Sequence, residues 1–129
     1  ANFDQKNFQA IFDLGDFYSA RALLFVKKQE FAKALVDFEK SLVYLEKVIA
    51  NDKNHHEAIA YKTDTLLSFA DAYSRAGNTG KALQIAQKAE NFAKSNSNQE
   101  TYEKIQWGRV FLTKGRIFLE KAKQSQSIE

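Results

Sequence analysis

Leu14-Gly15-Asp16-Phe17-Tyr18-Ser19 and Phe69-Ala70-Asp71-Ala72-Tyr73-Ser74 are two copies of one short pattern. In each, a small residue stands three positions before a tyrosine, so both fall on one side of a helix. The small residue lets a partner helix approach closely, and the ring grips it. Two such knuckles on two helices indicate stacked helical hairpins, an architecture that acts by presenting a surface to another molecule.

Working outward, the rest of the chain supports long helices. It has 129 residues, enough for one continuous core, and we expect a single domain over 1–129. Proline is absent and glycine is scarce, so little interrupts a helix. Apolar periodicity predicts five helices. The first spans about residues 3–27, with Phe8, Ile11, Gly15, Tyr18, Ala22 and Phe25 inward. The second spans about 30–50, with Leu35, Phe38, Leu42, Leu45 and Ile49 inward. Between them Lys27-Lys28-Gln29 has neither glycine nor proline, so a break and a single bent helix both fit. Asn51 to Asn54 form the next break, with Asn54 and Glu57 as a capping pair. The third helix spans about 55–76, with Ala58, Leu66, Phe69, Ala70 and Tyr73 inward. Gly77-Asn78-Thr79-Gly80 then closes one helix and caps another. The fourth, about 81–94, turns small residues Ala82, Ala86 and Ala89 inward beside the bulk of Leu83, Ile85 and Phe92. Ser97 and Glu100 form a capping box for the fifth, about 99–123, and a frayed polar tail is expected over 124–129. On that last helix Tyr102, Ile105, Phe111, Leu112, Phe118, Leu119 and Ala122 predict a core stripe, and Gly108 and Gly115 predict close approach to a neighbouring backbone.

The charge pattern is uneven. The chain carries +3 overall, and the excess lies between Gln99 and Gln124, where Lys104, Arg109, Lys114, Arg116, Lys121 and Lys123 face Glu100, Glu103 and Glu120. This predicts a solvated basic face, with an acidic partner as the sharper reading and nucleic acid disfavoured, since Phe111 and Phe118 fall at core spacing. No apolar run approaches the roughly 20 residues of a spanning helix. Without cysteine there are no disulfides, thiolate metal sites or cysteine nucleophiles. That leaves the compartment open, with the cytoplasm favoured over export. A first residue of Ala1 fits a removed leader, a trimmed piece or a domain of a longer protein equally.

Catalytic and metal-binding patterns lack the spacing their chemistry needs. His55 and His56 near Asp52 and Glu57 lack the i, i+4 spacing that aims two imidazoles at one ion. No nucleophile elbow or phosphate-cradling glycine loop accompanies any Ser, His and Asp set. Neither enzyme activity nor a cofactor is expected.

The chain resembles the tetratricopeptide repeat family, helix-turn-helix units of about 34 residues. In the second repeat, about 55–94, Phe69, Ala70, Tyr73, Gly77, Ala82 and Ala89 match the family pattern without a gap, and Ala86 replaces the second-helix aromatic. In the first, about 3–50, Leu14, Gly15, Tyr18, Phe31, Ala34, Phe38 and Ser41 match with seven extra residues between the halves, two helical turns that keep the faces aligned. Phe111, Gly115 and Phe118 suggest a third first-helix acting as a cap. An unrelated antiparallel bundle or a longer-helix relative could carry the same pattern. The resemblance implies an all-α, right-handed stack of antiparallel hairpins and a non-catalytic module that binds a peptide or helix in a concave groove. Carried over position by position, the groove lining is Gln9, Phe12, Asp16 and Ser19, then Asp64, Leu67, Asp71 and Ser74, then Arg109, Leu112 and Arg116. Phe12 and Leu67 stand where chaperone-binding members have lysine, and Asp16 and Asp71 where they have asparagine, which argues against a carboxylate-tail ligand. The alternative is a structural module that forms a homodimer through an apolar end near Trp107 and Phe111.

Overall fold

The computed structural model describes residues 5–96 and 100–128, with side chains described over 7–96 and 106–126. Ser97 lies outside the described residues, as do the side chains of Glu100, Tyr102 and Ile105, so the expected capping box and the start of the last stripe fall there too. All regular structure among the described residues is helical: α1 (Gln5–Lys27), α2 (Phe31–Asn51), α3 (His56–Arg75), α4 (Thr79–Asn96) and α5 (Glu100–Ile128). Two compact units divide the chain, residues 1–65 and 66–129, with the boundary inside α3.

In the N-terminal unit α1 and α2 form an antiparallel hairpin. A Cβ placed on Gly15 would stand 3.1 Å from Leu45 Cγ and 3.5 Å from the Ser41 carbonyl oxygen, so glycine is what permits this approach. Ser41 Oγ seals the crossing by donating to the Gly15 carbonyl at 2.7 Å. Further along, Arg21 Nε and Nη2 donate to the two Asp37 oxygens at 2.6 and 2.9 Å. Phe12, Leu45, Val48 and Ala58 make the core of this unit, with Ile11 and Ile49 against it. The first half of α3 runs parallel to α1: Phe12 meets His55 and Tyr61, and Ser19 Oγ lies 3.3 Å from Thr65 Oγ1. The inward face of α2 is Ala34, Asp37, Phe38, Ser41, Leu45 and Val48. Leu35, Leu42 and Ile49 are only half-buried, because Arg21 and Gly15 of α1 draw Asp37 and Ser41 into the contact.

The break between α1 and α2 is real, and Gln29 does the work of the missing glycine. Its φ is 61°, Glu30 N–H bonds the Phe25 carbonyl and Gln29 N–H bonds that of Val26. Those two bonds make a Schellman closure, in which a side-chain-bearing residue at the left-handed position costs about 1 kcal/mol. Replacement Gln29→Gly is therefore expected to stabilise the unit by roughly 0.5–1 kcal/mol. A rise in the urea midpoint at constant slope checks this. The second Schellman closure uses glycine as expected: Gly77 has φ 95°, and the N–H groups of Gly77 and Asn78 bond the carbonyls of Ser74 and Tyr73. Asn78 Oδ1 then caps α4 by accepting the Lys81 N–H at 3.1 Å. At the start of α3 the cap differs from expectation. His55 Nδ1 accepts the Ala58 N–H at 3.1 Å, while the Asn54 N–H is turned back to Asp52 Oδ1.

In the C-terminal unit α4 and α5 are antiparallel, since Glu90 meets Lys114 at 2.6 Å and Thr79 Oγ1 meets Gln124 Oε1 at 3.5 Å. Ala82, Ala86 and Ala89 are fully buried along α4, as their spacing predicts. The helix α5 runs on to Ile128, past the tail expected at 124, because Gln124 lies beside the first turn of α4 and extends the pairing. Gly15 and Ala70, the small members of the two knuckles, are both buried, and Tyr18 and Tyr73 are both half-buried. The rings meet different partners, Tyr44 for Tyr18 and Phe69 of its own helix for Tyr73.

Candidate interaction surface

The helix α5 turns its faces opposite to the sequence expectation. Toward its own unit it presents Gln106, Val110, Thr113 and Ile117, all buried. Outward it presents Phe111 (64% exposed), Leu112 (60%), Phe118 (56%) and Leu119 (58%). The expected core stripe of Phe111, Leu112, Phe118, Leu119 and Ala122 is thus a surface stripe. Threonine and glutamine fit against α4 because its contact face is alanine, and Lys114 and Gln124 tether the pair at Glu90 and Thr79. Gly108 and Gly115 lie in the same outward stripe, and a Cβ on either would meet nothing within 4 Å. Among the described residues nothing makes the close approach expected of them.

Behind this surface is a seven-residue repeat, Gly108-Arg-Val-Phe-Leu-Thr-Lys114 followed by Gly115-Arg-Ile-Phe-Leu-Glu-Lys121. A strict period of seven keeps one stripe facing one partner over many turns. On one flank of the stripe stand Arg109, Arg116 and Lys123, all exposed. Lys114 and Trp107 border the other, the lysine held by Glu90 and the indole under the Lys94 ammonium at 5.5 Å. Hydrogen bonding from Lys114 holds the Glu90 carboxyl below the usual carboxylate range, so the tie between α4 and α5 persists to lower pH than an unpaired glutamate would allow. The four large side chains expose on the order of 400 Å² of apolar surface, the size of the largest patch on a typical monomer, which is often functional.

Of the groove residues expected from sequence, Arg109, Leu112 and Arg116 stand together on this face. In the N-terminal unit Gln9 and Asp16 are exposed, and Ser19 and Asp64 are half-buried. Phe12, Leu67 and Ser74, expected on an open groove, are core residues instead. Phe12 fills the space where α1, α2 and α3 meet, Leu67 and Ser74 lie on buried faces of α3, and Asp71 of the same helix is half-buried and bonded to Arg75 at 3.2 Å.

Comparison of the chain with family models, curated proteins and solved structures finds no match.

Two concavities lie in the N-terminal unit. One, of about 330 Å³, is lined by Phe8, Gln9, Phe12, Val48, Asn51, Asp52 and His55. His55 is committed there to stacking on Phe12 at 5.4 Å and to capping α3. The other, an open trough of about 500 Å³, runs along Arg21, Phe25, Val36, Asp37 and Lys40. Sequence reasoning passed over the Arg21–Asp37 pair in it. The signal was an aspartate standing between Ala34, Phe38 and Ser41 on the inward face of α2. Bonding to Arg21 holds the Asp37 carboxyl below its ordinary range, and the same bond raises the Arg21 guanidinium. Arg21 also lies over the Phe17 and Tyr18 rings, at 5.4 Å from each. No helix among the described residues is long and apolar enough to cross a membrane.

Proposed function

We propose that this chain is a non-catalytic protein-interaction module of the tetratricopeptide kind, and that α5 is the surface on which it receives an apolar helical segment with acidic flanks. The observation that carries this reading is the exposed apolar stripe of α5. Gln106, Val110, Thr113 and Ile117 face its own unit, and its Phe-Leu stripe faces solvent between basic residues. Burying that stripe is worth about 10 kcal/mol gross at ~25 cal/mol per Å². Association and ordering costs consume much of it. Arg109 and Arg116 add rate and selectivity for a partner with acidic flanks.

The test is a fluorescent peptide designed as an amphipathic helix, with leucine at a and d positions and glutamate on both flanks. Its anisotropy is expected to rise on titration with the protein. Leu112→Asp should weaken binding at least about tenfold, as loss of a central apolar anchor does. Arg116→Glu should weaken it about threefold or more and flatten its salt dependence. Equal affinity for all three proteins would remove α5 from the site.

A further inference from the structure

The outward face of α5 keeps one register along its length. Gly108-Arg109, Gly115-Arg116 and Ala122-Lys123 recur every seven residues, with Phe111-Leu112 and Phe118-Leu119 between them, and all of these residues are exposed. Small and large side chains thus alternate along the stripe at threes and fours, and each period rises about 10.5 Å. Glycine inside a helix is destabilising relative to alanine. At both glycines a Cβ would meet nothing within 4 Å, so no neighbour among the described residues requires the missing side chain. The charge beside the stripe is basic on both edges. Arg109, Arg116 and Lys123 hold one edge, and Lys121 stands on the other, where Lys114 is taken by Glu90. Glu120, beyond the arginine edge, is half-buried.

We propose that the occupant of this face is a helix of another protein with a seven-residue repeat of its own. It seats a large apolar side chain at each of Gly108, Gly115 and Ala122 and a small one over Phe111 and Phe118, and it carries carboxylates along the Arg109, Arg116 and Lys123 edge. A strict period of seven stays in contact over several turns when the partner is a helix of the same period. An extended segment returns to one side about every 6.6 Å and would meet at most every second notch. Large against small fills the seam, whereas large against phenylalanine overpacks it and leaves the notches empty. Charge complementarity decides against a second α5 face, which would set cations on cations, and in favour of an acidic helix. Gly108 and Gly115 are then the specificity-determining positions. This inference rests on the reading of α5 as a docking surface and specifies what that surface receives.

Fluorescence anisotropy on the full chain tests it with two labelled three-heptad peptides that carry the same glutamates. One alternates leucine and alanine through its seam, and the other has leucine at every seam position. Wild type is expected to bind the alternating peptide at least about fivefold more tightly. Gly115→Leu, which fills a notch, should weaken that peptide at least about tenfold. The double variant Gly108→Ala with Gly115→Ala should raise the urea midpoint, since alanine favours the helix, and yet bind the alternating peptide about threefold or more weakly. Glycines that served only the fold would give the reverse, a lower midpoint with no separate loss of affinity, and that result overturns the proposal. Equal binding of the two peptides, or a Gly115→Leu protein that binds the alternating peptide as wild type does, overturns it while leaving α5 a docking surface. If neither peptide binds, the reading of α5 falls as well. Sedimentation velocity without peptide addresses the other occupant: a dimer that Leu112→Asp dissolves would make a second copy the partner and overturn the proposal.

Discussion

Alanine at Phe38 will lower the free energy of unfolding by about 3–5 kcal/mol, whereas alanine at Phe118 will leave it within about 0.5 kcal/mol. Both are phenylalanines on amphipathic helices, and the sequence gives them the same kind of spacing. Phe38 is 0% exposed on the inward face of α2, so its removal forfeits the transfer energy of a ring and leaves a cavity in a packed hairpin. Phe118 faces solvent, so its removal leaves no hole. Urea unfolding of the two variants against wild type checks the contrast, with the midpoint shifting and the slope held. The binding readout should invert it, Phe118→Ala losing affinity for the acidic amphipathic peptide. A Phe118→Ala variant as unstable as Phe38→Ala would show that the outer face of α5 is part of the fold and would end its reading as a surface.

That contrast marks where sequence reasoning stops. Helix number, the glycine closure at Gly77, the alanine contact face of α4 and the close approach at Gly15 follow from residue chemistry that acts within a turn or two. Glycine relieves a left-handed φ, and alanine leaves room for a neighbour. The orientation of α5 does not follow in that way. Its periodicity identifies one apolar face but cannot say whether the protein or a partner covers it, and the rule that apolar faces turn inward assumes the chain is its own partner. The polar residues Thr113 and Gln106 went inward because an alanine-lined α4 takes small and flexible side chains as readily as rings. The break at Gln29, which the sequence left open beside a single bent helix, was hard to decide for a similar reason, since a residue other than glycine can hold a positive φ where the helices on both sides are fixed by packing. Among the expected groove residues, Arg109 and Arg116 were legible as a surface because they are charged. Phe12 and Leu67 were not, since an apolar residue at a groove position and one in the core leave the same mark on a sequence.

Replacing Arg21 by methionine is expected to cost about 1–3 kcal/mol at neutral pH, the penalty for stranding a buried polar group. Asp37 is the group stranded: its side chain is 3% exposed, and both oxygens are bonded to the guanidinium. The pH dependence follows from the direction of its shift. In the folded wild type the carboxyl titrates below its ordinary value, so the pair's stabilisation is fully present above the ordinary carboxylate pKa and is lost as pH falls through the depressed one. Without Arg21, burial instead favours the protonated acid, which removes the stranded charge at low pH. The deficit of Arg21→Met relative to wild type should therefore be largest near neutrality and shrink on acidification. Urea unfolding at neutral pH and at a pH below the carboxylate range measures it. The double variant Arg21→Met with Asp37→Leu removes the charge from both sides of the contact and should recover most of the loss, because no buried carboxylate is then left without a partner. Equal deficits at both pH values, or a double variant no better than the single one, would show that Arg21 stabilises the hairpin through its stacking on Phe17 and Tyr18 rather than through Asp37.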